Sequence, residues 1–143
     1  DVYKRQGLLI DIGADHYVLP LSAVEECIEL TRDDVEQSHG RNLVKIRGEI
    51  VPYVRLRDEF KINSERPDIE QIVIANLEGL RVGFVVDHVV GEHQTVIKNL
   101  GRMYQDVNGV SGATILGDGR VALILDLPQL AGRAEEVEKN ALH

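Results

Sequence analysis

Two glycines, Gly112 and Gly117, are separated by four residues, which is the spacing of a loop that wraps the phosphates of a nucleotide. Such a loop continues with a lysine that reaches the phosphates and with a serine or threonine that meets the magnesium ion. This chain has Asp118 and Gly119 at those positions, and an acidic side chain repels phosphate. We therefore interpret Asp118-Gly119 as the tight turn of a β-hairpin between two apolar runs.

Five histidines raise the question of a metal site. His88 and His93 lie close together in the sequence, with Asp87 and Glu92 beside them. Zinc ligands usually share one face at short spacing, such as positions i and i+4 of a helix, whereas these histidines are separated by the Gly91 break in strand-like sequence. We therefore expect a turn whose polar side chains face water, and no metal ligands.

The sequence also gives no support for nucleophilic or acid-base catalysis. The sequence has no Gly-x-Ser-x-Gly elbow, and Ser111 has no base that the sequence can identify. Adjacent carboxylates such as Asp33-Asp34 lie in polar stretches, where general acid and base work is not expected. The sequence thus predicts no catalytic residue and no cofactor.

The composition narrows the possible partners. The 143 residues include 24 acidic and 16 basic ones, and a formal net charge of −8 disfavours nucleic acid and anionic membrane surfaces. Aromatic residues make up only 4% of the chain, which argues against a surface that stacks the bases of single-stranded nucleic acid. No apolar run is long enough to span a bilayer. Cys27 is the only cysteine and has acidic neighbours, so we expect a small buried residue in a reducing compartment. These features predict a cytoplasmic protein with no nucleic-acid partner and no membrane insertion.

Short strands are the dominant predicted element. Apolar residues alternate from Leu8 to Leu21, which predicts a hairpin with one face buried, and similar patterns follow at 43–57 and 72–86. Strands of this length with short turns are typical of small antiparallel barrels. After residue 21 a helical turn and a strand both fit, and at 95–98 a strand and a loop both fit. Asp126 predicts the start of a helix, with Pro128 in its first turn.

A weak internal repeat points to two similar units. The segment GEIVPYVRL from Gly48 aligns residue for residue with GRVALILDL from Gly119. Two similar barrels would explain this match, although the common composition of hairpins could also generate it.

The first six residues, DVYKRQ, fit no strand or helix pattern. They look like the translation of a transposon-end sequence used in preparing sequencing libraries. We therefore expect residues 1–6 to be non-native and the natural chain to continue upstream, so that the rest is a C-terminal fragment.

Several separated motifs carry a family resemblance. LPLSAVEECIEL, IRGEIVPYVRLRDEF, VGFVVDHVVGEHQTVIKNLG and GVSGATILGDGRVALILDLPQL occur in this order. From about residue 7 to 130 the chain resembles the CheW-like regulatory domain at the C-terminus of the chemotaxis histidine kinase CheA. The resemblance implies an all-β fold of two packed five-stranded SH3-like barrels with a short C-terminal helix. It implies a CheW-like domain at 7–132 and a helical tail at 133–143.

The resemblance also implies a function without catalysis. Such a domain docks onto the CheW adaptor protein and couples the cytoplasmic tips of chemoreceptors to kinase activity, in membrane-associated arrays. The phospho-accepting histidine and the ATP-binding boxes belong to upstream domains, so no histidine here is expected to be phosphorylated. A free-standing CheW adaptor is the alternative, and a small hydrolase or nucleotide-binding enzyme is a third hypothesis. The candidate partner-binding residues are Gly48, Glu49, Ile50, Val110, Ser111 and Gly112.

Overall fold

A computed structural model describes residues 3–31, 42–63, 65, 67–97, 109–116 and 119–132. Strands form most of this part of the chain. Their bounds are β1 Tyr3–Ile12, β2 Asp15–Pro20, β3 Val24–Leu30, β4 Leu43–Ile46, β5 Glu49–Arg55, β6 Glu70–Leu77, β7 Leu80–Val86, β8 His88–Ile97, β9 Val110–Ile115 and β10 Val121–Leu125. The helical segments are a 3₁₀ turn at Leu21–Ala23, α1 at Leu56–Glu59 and α2 at residues 127–132.

The strands form two five-stranded sheets, as predicted. The inserted sheet has the order β3-β6-β7-β5-β4 and uses consecutive strands, whereas the split sheet has the order β8-β1-β2-β10-β9. Each sheet contains one parallel pair, β5 with β7 and β10 with β2, among otherwise antiparallel neighbours. The edge strands β8 and β9 of the split sheet contact each other, which is consistent with the curvature of an SH3-like barrel.

The two sheets are copies of one plan. When their strand orders are superimposed, β5 matches β10, and a short helix follows each of these strands directly. Residues 49–55 and 120–126 have the same pattern of exposed and buried positions. In each stretch the first two residues are exposed, the third is buried and the last is half-buried. Ile50 and Val121 are therefore equivalent, and so are the buried Leu56 and Leu127. The weak sequence repeat reflects this structural repeat.

A central core lies between the sheets and receives side chains from both. Leu8 and Ile10 of β1 pack there with Val82 and Phe84 of β7. Two smaller cores belong to one sheet each. The inserted sheet encloses Leu30, Val44, Ile46, Val51, Tyr53, Ile72, Ile74 and Val85, and the split sheet encloses Leu9, Val18, Ala122 and Ile124.

The β1–β2 hairpin buries both of its faces, so the prediction of one buried face is wrong. Leu8 and Ile10 face the central core, while Leu9 between them faces the core of the split sheet. An apolar residue at every position is expected when both faces of a sheet are covered. Pro20 lies at the end of β2, where a missing N–H is tolerated.

Backbone geometry confirms the predicted turn at Gly119 and shows a second tight turn between β6 and β7. Gly119 has a φ of +87°, and the N–H of Leu116 donates to the carbonyl oxygen of Arg120 at 2.7 Å, which closes the β9–β10 hairpin. Asp118 lies outside the described residues. The β6–β7 turn has positive φ at Glu78 and at Gly79, as a tight hairpin turn requires.

The helix after β10 begins where the sequence predicted. The Oδ1 atom of Asp126 accepts from the N–H of Gln129 at 3.1 Å, the expected capping bond. The two segments for which the sequence left alternatives open both form strands. After residue 21, a 3₁₀ turn without a side-chain cap leads into β3. At 95–98, residues 95–97 belong to β8.

The expectation that residues 1–6 form no strand is wrong for residues 3–6. Tyr3 to Gln6 continue β1 and pair with residues 94–97 of β8. Ladder hydrogen bonds use backbone groups alone, so this pairing requires no apolar alternation in the sequence. The non-native origin of residues 1–6 stays a prediction, and the tail predicted at 133–143 lies outside the described residues.

Substitution of Gly83 by alanine tests the packing of the inserted sheet. A Cβ at this position would lie 2.5 Å from Cδ1 of Ile72 and 3.1 Å from Cβ of Tyr53. Overpacking of a core typically costs about 1–3 kcal/mol. Gly83→Ala should therefore lower the free energy of unfolding by that amount, as measured by urea denaturation. Gly132→Ala is the control, because its Cβ meets no described atom within 4 Å. Equal stability of the two variants would contradict the packing described.

Candidate functional site

The β4–β5 hairpin carries the most exposed large apolar side chain of the described residues. Ile50 is 63% exposed and lies just after the Arg47-Gly48 turn. β7 is the parallel neighbour of β5, and Leu80 at the start of β7 is also exposed. We call Glu49, Ile50 and Leu80 the Ile50 surface.

Ion pairs surround the Ile50 surface. Arg81 contacts Glu49 at 2.9 Å and Glu25 at 3.1 Å, and Arg47 contacts Glu26 at 2.6 Å. Exposed pairs of this kind add little stability, so their main effect is on the charge pattern of the surface. An apolar centre with a polar rim is the usual anatomy of a protein interface.

Gly48 is explained by the turn itself. Its φ is +82°, a conformation that glycine adopts without strain, and a Cβ there would meet no described atom within 4 Å. The glycine therefore allows the reversal of the chain that presents Ile50, and a close approach of a partner's backbone is not needed to account for it.

The second predicted segment lies mostly inside the molecule. Val110 is only 8% exposed and Gly112 is buried opposite Ile124, whereas Ser111 is exposed and its hydroxyl donates to the carbonyl oxygen of Ile124 at 3.4 Å. The start of β9 is also fixed to α2, because the N–H of Gly109 donates to Oε1 of Gln129 at 2.7 Å. The segment belongs to the split sheet, so it is not part of the Ile50 surface.

The split sheet has an exposed pair of apolar residues that the sequence analysis did not include among the candidate contact residues. Ile115 and Val121 face each other across the β9–β10 hairpin and are 59% and 51% exposed. The internal repeat contained the necessary signal, because Val121 aligns with Ile50. We call Ile115 and Val121 the Val121 surface.

A buried ion pair joins the two sheets. Nη2 of Arg57 lies 2.5 Å from Oδ2 of Asp87, and both side chains are only 6% exposed. The same Oδ2 accepts from the N–H of Gly13 at 2.8 Å, and the N–H of Asp87 donates to the carbonyl oxygen of Asp11 at 3.1 Å. Arg57 belongs to α1 and Gly13 to the β1–β2 turn, so this network links the inserted sheet to the split sheet.

Two sequence-based expectations are corrected at these positions. Asp87 is buried and ion-paired, so the expectation that it faces water is wrong. Cys27 lies on the exposed face of β3, so the expectation of a buried residue is also wrong. Desolvation of the sulfur, and then the charge of Glu26, raise the pKa of the Cys27 thiol, and a thiol with a raised pKa is a poor nucleophile at neutral pH.

Metal-ligating side chains are not grouped in the part of the chain that the structure describes. No three His, Cys, Asp or Glu residues there could hold a metal ion together. His88 and His93 are both exposed on β8. Among the described residues, no helix has the length and apolar character needed to cross a membrane.

Comparisons with known proteins agree with this fold. The sequence model of the CheW-like domain family matches residues 6–135. The chain is 42% identical over 121 residues to chemotaxis protein CheA of Bacillus subtilis and 37% identical over 133 residues to that of Salmonella typhimurium, covering 83% and 91% of this chain. It spans only 18% and 20% of the lengths of these relatives.

Two further similarities extend the comparison. The sensor histidine kinase CheAY of Helicobacter pylori is 32% identical over 137 residues, which are 94% of this chain and 17% of that protein. The crystal structure of the scaffolding protein TtCheW from Thermoanaerobacter tengcongensis matches with a TM-score of 0.70 at 19% identity, and the match covers 87% of this chain and 90% of TtCheW.

Loss of the Asp87 charge tests the link between the sheets. Asp87→Asn leaves the Arg57 guanidinium buried without a counter-charge, which typically costs about 3–5 kcal/mol. We expect a fall of this size in the free energy of unfolding, measured by chemical denaturation. Glu26→Gln is the matched control, because it removes the charge from the exposed Arg47–Glu26 pair and should cost less than about 1 kcal/mol. Equal losses in the two variants would contradict a linking role for Asp87.

Proposed function

The chain belongs to the CheW-like domain family, and from this premise we propose that it is the regulatory domain of a chemotaxis histidine kinase of the CheA type. It docks onto a CheW adaptor and couples the tips of chemoreceptors to kinase activity in the cytoplasm. The identities of 42% and 37% to CheA proteins, against 19% to the CheW structure, favour this proposal over a free-standing adaptor.

The domain acts by contact and not by catalysis. In the described part, the buried ionic side chains lie in ion pairs: Arg57 with Asp87 between the sheets, and Arg55 with Glu70 within the inserted sheet. The kinase reaction belongs to other parts of the parent protein. This division agrees with the small share of each kinase that the chain spans.

The exposure of Ile50 is the observation that carries the docking proposal. Ile50 is 63% exposed beside the hairpin turn, so its burial against a partner stabilises the complex, and full burial of an isoleucine contributes about 1.5–3 kcal/mol. Leu80 enlarges the apolar centre, and the ion pairs of Arg81 and Arg47 form the rim. The occupant that we propose is a barrel of CheW.

The Val121 surface provides a second contact of the same kind. Because Val121 repeats the position of Ile50, the domain presents similar hairpins from both of its sheets. A domain with two such surfaces can join neighbours on two sides. Ser111, at the other end of β9 from Ile115, remains a separate candidate contact, while Val110 and Gly112 would act by supporting the backbone of β9.

Substitution of Ile50 by aspartate tests the docking proposal. Ile50→Asp places a charge at the centre of the contact, and we expect the affinity for CheW to fall at least tenfold, or about 1.4 kcal/mol, in isothermal titration calorimetry. The thermal unfolding midpoint should stay unchanged because the side chain is exposed.

Val90→Asp is the matched control, since Val90 is 50% exposed on β8 of the other sheet. It should bind CheW as the unmodified chain does. A folded Ile50→Asp variant with unaltered affinity would refute the Ile50 surface as the CheW contact.

A binding comparison separates the two members of the family. A CheA-type domain should bind purified CheW more tightly than it binds the CheW-like domain of a CheA protein. The reverse preference, measured in the same titration format, would favour the free-standing adaptor.

A further inference from the structure

A lysine lies directly opposite Ile50 in the β4–β5 hairpin. Lys45 of β4 and Ile50 of β5 are paired across the two strands, and both residues are exposed. Residues that face each other in an antiparallel pair project from the same face of the sheet, with Cβ atoms about 4.5–5.5 Å apart. Lys45 therefore shares the face that presents Ile50, although it is not among the contact residues predicted from the sequence.

Lys45 has no carboxylate partner in the part of the chain that the structure describes. The acidic side chains around the Ile50 surface are paired with arginines, in the ion pairs Glu49–Arg81, Glu25–Arg81 and Glu26–Arg47. Glu49 directly precedes Ile50 on β5, so the alternation of a strand places it on the opposite face from Ile50. The face that presents Ile50 thus carries a cation without a counter-charge from the described residues.

The equivalent position of the split sheet is apolar. When the strand orders are superimposed, β4 matches β9 just as β5 matches β10. Val121, which matches Ile50, faces Ile115 across its hairpin, so Ile115 takes the place of Lys45. The two surfaces are built on one plan, and the charge of Lys45 beside the apolar centre distinguishes them.

We propose that Lys45 determines the specificity of the Ile50 surface, by selecting a face of CheW that presents a carboxylate next to the apolar patch that covers Ile50. This inference rests on the proposed function, because it names the chemistry of that partner. Covering Ile50 also removes water from its cross-strand neighbour, and a charge that loses water is destabilised unless an opposite charge meets it. A carboxylate of the partner supplies the opposite charge, whereas an apolar or basic face is rejected.

The Val121 surface selects its partner differently. Ile115 has no charge to desolvate, so an apolar face fits against Ile115 and Val121 without a carboxylate. Lys45 therefore disfavours the binding of one and the same partner face to both surfaces. A charge pair next to an apolar contact also fixes the register of docking and raises the rate of association.

Removal of the Lys45 charge tests this inference. Opposite charges in contact attract each other more strongly where water is excluded, so Lys45→Gln should weaken binding to purified CheW about fivefold at about 0.1 M salt. Lys45→Arg keeps the charge and should restore the affinity of the unmodified chain to within about twofold. In about 1 M salt, where charges are screened within about 3 Å, the loss caused by Lys45→Gln should shrink.

Lys61→Gln is the matched control. Lys61 is an exposed lysine that follows α1, at the other end of β5 from Ile50, and its substitution changes the net charge by the same amount. It should leave the affinity for CheW unaltered. Unaltered or tighter binding by Lys45→Gln, or an equal loss in Lys61→Gln, would overturn the proposal. Both lysines are exposed, so each variant should keep the thermal unfolding midpoint of the unmodified chain.

Carbodiimide cross-linking of the unmodified chain with CheW looks for the carboxylate directly. This reagent joins an amine to a carboxylate in contact with it through an amide bond and adds no spacer. Mass spectrometry of the cross-linked complex should find Lys45 joined to an aspartate or glutamate of CheW. A complex that forms but is cross-linked only through other lysines, such as Lys61, would contradict the role of Lys45.

The binding data separate this inference from the proposed function. If the unmodified chain does not bind CheW, the proposed function is refuted and this inference is refuted with it. If the chain binds CheW and Ile50→Asp weakens the complex while Lys45→Gln does not, the proposed function stands and the role of Lys45 alone is refuted.

Discussion

Burial of the central core between the two sheets is the constraint on which the rest of the structure depends. Each sheet has a core of its own, but its other face is equally apolar and would be exposed without the partner sheet. Alternate residues of a strand therefore serve different cores, as Val73 serves the central core and Ile72 serves the core of the inserted sheet. Because both faces are occupied, these strands have no free apolar face, and the exposed apolar side chains of Ile50 and Val121 lie near the hairpin turns.

The apolar core and the polar network have different roles. Apolar contacts favour burial without fixing a direction, whereas a hydrogen-bonded ion pair is sensitive to distance and angle. Arg57 and Asp87, together with the backbone of Gly13, therefore fix how one sheet is oriented on the other. The stacked rings of Tyr17 and Phe60, 4.9 Å apart, add a further oriented contact across the same boundary. The relative placement of the two exposed hairpins follows from these contacts.

Local patterns in the sequence predicted individual strands and turns, because these depend on neighbours in the chain, whereas the arrangement in two five-stranded barrels came from the family resemblance. The turn at Gly119, the cap at Asp126 and the alternation of β4 needed only short-range rules. Burial of Asp87 needed knowledge of Arg57, 30 positions away, and no local rule supplies that. The candidate contact residues stay a prediction: Ile50 is exposed, whereas Val110 is buried because α2 packs against the start of β9, a contact that exists only in the folded chain.

The split sheet is built from two separated parts of the chain, which has a consequence for biosynthesis. β1 and β2 are synthesised before their neighbours β8 and β10, so the register of Gly7 with His93 cannot form until the intervening segment has emerged. The inserted sheet is contiguous and has all of its strands earlier. The apolar β1–β2 hairpin is therefore without its sheet neighbours during that interval, and the inserted sheet, once folded, offers an apolar face against which it can pack.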